Sequence, residues 1–246
     1  MDQGEARRLM AGAAVAPRRT RARSYLLLAR ISNLPTVWTN VLAAVIVAGA
    51  PVTAIVPAIV AVSLFYMGGM FLNDAFDADF DRRARADRPV PAGDVSRREA
   101  FAAGAVLIAV GEGLLLWAPH AMPALSWGLA LAVAITFYDF KHKGQSFGPV
   151  VMGLCRALVY CVAASGATGW LSLPVVMAAL TMWLYVIGLT WVAKNAGLGY
   201  AVPWLLAGIC LVDAAMLAMA GEPMLALIAA TGFPATLALQ RVVPGT

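Results

Sequence analysis

Eight apolar runs, each close to the length of a bilayer-spanning helix, leave this chain few folds to choose from. They occupy roughly residues 24–50, 53–72, 97–118, 121–140, 147–168, 172–193, 199–220 and 224–240. About 20 apolar residues are what an α-helix needs to cross the hydrocarbon core of a membrane. Membrane β-strands would alternate apolar and polar residues with period two, and these runs do not. The composition agrees: 61% of the residues are hydrophobic and only 13% are charged, where a soluble domain carries roughly a quarter charged residues. The expected fold is all-α, a polytopic membrane helical bundle of about eight transmembrane helices, with the lipid bilayer as its solvent. Residues 1–23 read as a basic, disordered N-terminal tail and 24–246 as a single transmembrane domain.

The connections between runs alternate in character. Those after the first, third, fifth and seventh run are "APV", "APHAM", "ATGWLSLP" and "AGEP", without a lysine or arginine. Those after the second, fourth and sixth are "DADFDRRARADRPVPAGDVSRR", "KHKGQS" and "KNAG", all basic. The N-terminal tail adds Arg7, Arg8, Arg18, Arg19, Arg21 and Arg23, and the C-terminal tail adds Arg241. The positive-inside rule then puts both termini and the acidic loop in the cytoplasm of a multi-pass protein of the cell inner membrane. This topology accounts for the formal net charge of +5 and requires no nucleic acid as a partner. The arginines of "RRTRARS" precede a run that continues past 20 residues and is followed by further spans, so it reads as a first transmembrane helix, not a cleaved signal. Cys155, Cys161 and Cys210 all lie inside apolar runs, as small buried hydrophobes do.

The densest charge in the chain, "NDAFDADFDRRARADRPVPAG" at 73–93, follows the uncharged "PAIVAVSLFYMGGMFL". If the second span runs on as a helix, Asn73, Asp74, Asp77 and Asp81 fall within about 100° of arc, and Asp79 falls on the other side. Three like charges on one face are costly unless they are solvated or neutralised by a cation. Hard oxygen ligands of this kind suit Mg²⁺, which keeps waters and is shared with substrate phosphates. The alternative is a solvated acidic helix end that marks the membrane boundary. Against it, the acids lie at a helix C-terminus, where the dipole disfavours negative charge, inside an otherwise basic loop. Arg82, Arg83 and Arg85 are explained by topology. Arg88, held by Pro89 and Pro91 in a stiff turn, is the better candidate for gripping phosphate oxygens.

This segment resembles the first aspartate-rich motif of the UbiA superfamily of intramembrane prenyltransferases: N-D-x-x-D-x-x-x-D followed by R-P-(V/I)-P-x-G. "RISNLPTVWTNVLAA" at 30–44 is similar to the first helix of that family. The resemblance implies a helical bundle whose cavity binds an isoprenyl diphosphate through Mg²⁺ and transfers the isoprenyl group to a small, often aromatic, acceptor. It implies Asn73, Asp74, Asp77 and Asp81 as the metal ligands, and catalytic roles for Asp77, Asp81 and Tyr138. Tyr138 fits the tyrosine of the family's Y-x-x-x-K element, but position 142 is His, so Lys141 and Lys143 flank the expected place. Both are carried as diphosphate-binding candidates together with Arg88.

The chain departs from the pattern again where the family carries a second acidic motif. Residues 189–200, "LTWVAKNAGLGY", contain no acid. Lys194 stands there, and an ammonium can supply part of the charge a second metal ion would bring; a topology signal explains it equally well. Three charges lie at depth: Glu112, Arg156 and Asp213. Ionisable groups inside a membrane usually pair within the bundle, and a pair between Arg156 and one of the two acids is expected. Two other readings remain open at this point: a non-catalytic or transport-type protein that binds a lipid or isoprenoid, and a CDP-alcohol phosphotransferase. The second would need D-G-x-x-A-R after the first aspartates, and Ala78 follows Asp77.

Overall fold

The first apolar run is divided at a single arginine. The computed structural model describes residues 19–141, 147–195 and 199–245. Among them, α1 spans Arg21–Ala29, α2 Leu34–Val47, α3 Ile55–Ala84, α4 Arg97–Leu114, α5 Ala121–Lys141, α6 Gly148–Thr168, α7 Leu173–Asn195, α8 Val202–Met219 and α9 Pro223–Gln240, with no strand among the described residues. Seven helical segments are long and apolar enough to cross a membrane, and Ile31–Val47 is a shorter apolar one. Seven of the eight runs become helices of that kind and the first becomes the shorter segment; from the third run on the boundaries lie within a few residues of those expected, while the second runs on to Ala84.

The first run is the exception. It reads as one span over 24–50, but it is divided at Arg30. Arg30 takes a left-handed backbone conformation, φ 43°, which is uncommon for any residue but glycine. Its N–H bonds back to the Leu27 carbonyl, and this closes α1. A 3₁₀ turn over Ile31–Asn33 follows, and α2 restarts with Pro35 in its first turn, where the missing N–H has no intrahelical partner to lose. With the chain turned in this way, the Arg30 guanidinium meets Asp74 on α3. The basic tail was expected to extend to residue 23, but residues 21–23 already belong to α1; residues 1–18 lie outside the described residues.

α2 occupies the middle of the bundle. Thr36, Val37, Thr39, Asn40, Val41, Ala43, Ala44 and Val45 are all buried, against α3, α6, α8 and α9. Only the side carrying Leu34, Trp38 and Leu42 is open, and the polar residues Thr36, Thr39 and Asn40 line up on one buried side. The tightest pairing is α3 with α4. A Cβ on Gly68 would lie 2.8 Å from the Gly104 carbonyl oxygen, one on Gly104 2.8 Å from that of Gly68, and one on Gly111 2.9 Å from that of Ala61. Small residues let membrane helices approach this closely.

α3 has 30 residues, about 45 Å at 1.5 Å each, against a hydrocarbon core of about 30 Å. Its last turns therefore carry Asn73 to Asp81 beyond the most apolar zone. The loop that follows folds back beneath them. The N–H groups of Asp94 and Val95 both bond to the Pro89 carbonyl, that of Ala92 bonds to the Arg88 carbonyl, and Gly93 adopts φ 80° to close the turn. Val90 and Val95 anchor the loop in a small apolar cluster with Leu28, Phe71, Ala78 and Ala100. α1 lies across it: Ser24 Oγ donates to Asp94 at 3.3 Å, and Arg21 and Tyr25 both reach Glu99. Ser96 caps α4 by accepting the Glu99 N–H at 3.1 Å.

Candidate functional site

Asn73, Asp74, Asp77 and Asp81 are all buried, none more than 8% exposed. Asp79 points the other way: it is 61% exposed and pairs with Arg82 and Arg97 at the surface. The helical-face reading of the segment is the arrangement found. What the sequence does not show is how the acids are neutralised. Arg88 reaches inward from the loop and places Nη1 2.9 Å from Asp81 Oδ2 and 3.4 Å from Asp74 Oδ1. Arg30, turned by its left-handed backbone, places Nη2 2.9 Å from Asp74 Oδ1 and 3.5 Å from Asn73 Oδ1. Two guanidinium groups from different parts of the chain thus straddle one acidic face. Arg82, Arg83 and Arg85 are exposed, which separates them from Arg88 as the turn prolines suggested.

A further acid joins from α5. Asp139 is 5% exposed and accepts a hydrogen bond of 3.1 Å from Asn73 Nδ2. Asn73 is therefore fixed from both ends, with its amide nitrogen toward Asp139 and its oxygen toward Arg30. Tyr138, beside Asp139 in sequence, lies near enough to Asp77, Asp139 and Arg30 to feel their charge. Asp81 Oδ1 is buried and has no hydrogen-bond partner among the described residues. No three His, Cys, Asp or Glu side chains converge on one point among those residues, and Arg88 bridges Asp74 and Asp81.

Sequence reasoning missed Arg30 and Asp139. Arg30 was given no role of its own; its one signal was that it opens "RISNLPTVWTNVLAA". Asp139 sat unremarked beside Tyr138, in the stretch where the lysine register drew attention. The lysines stay undefined: Lys141 and Lys194 close α5 and α7 with side chains outside the described residues, and Lys143 and His142 lie wholly outside them.

A second polar cluster lies inside the bundle. Asp213 on α8 is fully buried and accepts from Thr39 Oγ1 at 2.6 Å, from Asn40 Nδ2 at 2.8 and 3.0 Å, and from the Tyr160 hydroxyl. Arg156 on α6 does not pair with an acid directly, which corrects the expectation. Its Nη1 donates to Asn40 Oδ1 at 2.9 Å and its Nη2 to Thr36 Oγ1 at 3.0 Å, so the Asn40 amide stands between cation and anion. Glu112 is elsewhere, beside a membrane-side groove of about 340 Å³ that also touches Leu72, Phe76 and Phe101.

The arrangement of helices has counterparts. The UbiA prenyltransferase family model matches residues 32–241. The 4-hydroxybenzoate octaprenyltransferase of Paracidovorax citrulli is 37% identical over 132 residues, 52% of this chain and 42% of the relative. The digeranylgeranylglyceryl phosphate synthase of Metallosphaera sedula is 34% identical over 108 residues, 43% of this chain and 37% of the relative. These matches span less than half the length of either relative. Among solved structures, a digeranylgeranylglyceryl phosphate synthase superposes with a TM-score of 0.61 at 19% identity, covering 91% of this chain and 88% of the other. A UbiA homologue from Archaeoglobus fulgidus bound to GPP and Mg²⁺ superposes with a TM-score of 0.57 at 13% identity, covering 89% and 87%. With the family model matching most of its length and the same bundle in solved relatives, this multi-pass membrane protein belongs to the UbiA prenyltransferase family.

Proposed function

We propose that the protein transfers the isoprenyl group of an isoprenyl diphosphate to a small acceptor at the cytoplasmic end of the bundle in the cell inner membrane. The observation that supports this most is the straddled acidic face: four buried oxygen-bearing side chains on α3 with Arg30 and Arg88 on either side. A solvated boundary marker would be exposed, as Asp79 is.

The donors suit a magnesium ion. Asp81 Oδ1 is a buried oxygen without a partner among the described residues, and the face offers only hard oxygens. A magnesium ion shared with a diphosphate needs one or two carboxylates and keeps its waters, so a convergent cluster of three is not required. Asp77 and Asp81, with Asn73 and Asp74, would hold it; when bound, it neutralises diphosphate charge. Arg30 and Arg88 are paired with carboxylates here. A diphosphate offers them a stronger bidentate acceptor, and moving to it frees Asp74 and Asp81.

The reaction breaks the bond between the isoprenyl C1 and the diphosphate oxygen, and the electron pair leaves with the diphosphate. The two arginines meet the charge that grows on that oxygen. A nucleophilic carbon or oxygen of the acceptor then bonds to C1 and releases its proton. Tyr138, with Lys141, Lys143 and Lys194, completes the set of groups assigned to the diphosphate end. Equilibrium binding of geranyl diphosphate to the purified protein tests the reading. Binding should require Mg²⁺ and weaken at least tenfold in Arg30→Ala. Equal binding with and without the metal ion, or to wild type and variant alike, contradicts it.

A further inference from the structure

Arg156 is a cation held ready inside the bundle without an acid of its own. Nothing explains its position as a topology signal, because it lies eight residues into α6, about 12 Å from the start of that helix. A guanidinium has five N–H donors. Two of Arg156's bonds go to neutral oxygens, Asn40 Oδ1 and Thr36 Oγ1, and it makes no other hydrogen bond among the described residues. Asp213 is the carboxylate behind Asn40, but three donors from Thr39, Asn40 and Tyr160 already occupy it. Those donors fix the Asn40 amide with its nitrogen toward Asp213, so that its oxygen has to face Arg156. Asp213 is thus the support that aims the arginine, and not its ligand.

The direction of aim follows from Tyr66. The Arg156 guanidinium lies 5.8 Å from the centre of the Tyr66 ring. The far end of that ring, its hydroxyl, accepts from Asn33 Nδ2 at 3.1 Å and donates to the Arg30 carbonyl at 3.4 Å. One tyrosine therefore separates Arg156 from the turn that sends Arg30 to the acidic face. Along α3, Tyr66 precedes Asp74 by eight residues, about 12 Å. Arg156 and Tyr66 are both only partly buried, although Thr36 and Asn40, the α2 residues that Arg156 bonds, are fully buried. Arg156 therefore keeps N–H groups that make no hydrogen bond among the described residues.

We propose that Arg156 anchors an oxyanion, a carboxylate or a phosphate, of the acceptor, and so orients its nucleophilic atom toward the isoprenyl C1. This rests on the prenyltransferase reading for the identity of the ligand, but not for the existence of an anion site. Desolvated guanidinium groups bind planar oxyanions through two parallel bonds. A mobile anion placed there would complete an intramembrane charge that the protein itself leaves without a direct partner.

The test is equilibrium binding to the full chain in nanodiscs, with 4-hydroxybenzoate against its methyl ester, and a glycerol-phosphate lipid against the same lipid without phosphate. One member of at least one pair should bind about 10- to 100-fold more tightly in its anionic form, the range expected for one charge-assisted interaction. Arg156→Gln should abolish that preference while the neutral member binds as before, and Arg156→Lys should keep part of it. A preference in the benzoate pair makes the oxyanion a carboxylate; one in the lipid pair makes it a phosphate. Equal binding within both pairs by the wild type overturns the proposal without recourse to any variant, as does a preference that survives Arg156→Gln. Mg²⁺-dependent binding of geranyl diphosphate on the same preparation reports separately on the prenyltransferase reading. If that fails while the anion preference stands, the reaction is wrong and the site is right.

Discussion

Replacing Arg88 with alanine should turn the protein's stability into a function of divalent cation. Arg88 bridges Asp74 and Asp81, whose side chains are 5% and 1% exposed, and is itself 13% exposed. Removing one partner of a buried ion pair leaves uncompensated charge and costs about 3–5 kcal/mol. Arg30 still holds Asp74 at 2.9 Å, so the lower end, about 3 kcal/mol, is expected. For a chain of 246 residues that corresponds to a fall in Tm of about 6–12 °C. Magnesium at 100 times its Kd would return about 2.7 kcal/mol, nearly all of the loss, by taking the space Arg88 vacates. The control is Arg82→Ala, whose pair with Asp79 is 61% exposed on both sides and is worth at most about 1 kcal/mol. Thermal unfolding of the purified proteins in detergent, with Mg²⁺ and with chelator, reads both effects. Equal Tm values for Arg88→Ala and Arg82→Ala, or no added stabilisation by Mg²⁺ in Arg88→Ala, would refute the reasoning.

Four further outcomes follow from the same geometry. Asp139→Asn should weaken the hold on the Asn73 amide, raising the Mg²⁺ concentration needed for diphosphate binding several-fold with the fold intact; an unchanged Mg²⁺ requirement separates Asp139 from the site. Gly104→Val should disrupt the α3–α4 seam, since even its Cβ would lie 2.8 Å from the Gly68 carbonyl, and should cost about 1–3 kcal/mol, read as Tm. Tyr160→Phe removes one donor from the buried Asp213 carboxylate and should cost about 1–3 kcal/mol, whereas Ser126→Ala, whose hydroxyl only bonds back to Met122 within an exposed stretch of α5, should shift Tm little. Lys194→Ala decides between the two readings of that lysine: a drop in isoprenyl transfer assigns it to the diphosphate, and unchanged transfer leaves it a topology signal.

The bundle was legible because bilayer thickness forces run length: seven of the described helical segments are long and apolar enough to cross a membrane, and an eighth, Ile31–Val47, is shorter. The acidic face was legible for a similar reason: helical periodicity alone sorts Asn73, Asp74, Asp77 and Asp81 from Asp79. The neutralising partners were harder to see because their placement is not periodic. Arg30 belongs to the site only through a left-handed turn that no residue pattern near it demands. Asp139 belongs to it only because α5 packs beside α3. For Arg156 and Asp213, the charges pointed to a pair, but the Asn40 amide between them comes from a third helix and reverses the meaning: the arginine is propped, not satisfied. Sequence counts charges, and only packing shows which of them face each other.

The central claim is that the acidic face of α3 holds an isoprenyl diphosphate while its C–O bond breaks. Release of pyrophosphate from isoprenyl diphosphates of several chain lengths, with and without aromatic acceptors, measures this directly in the purified protein. The account predicts Mg²⁺-dependent, acceptor-stimulated release that Asp77→Ala abolishes. No release from any chain length, or release unaffected by chelator and by Asp77→Ala, would contradict it.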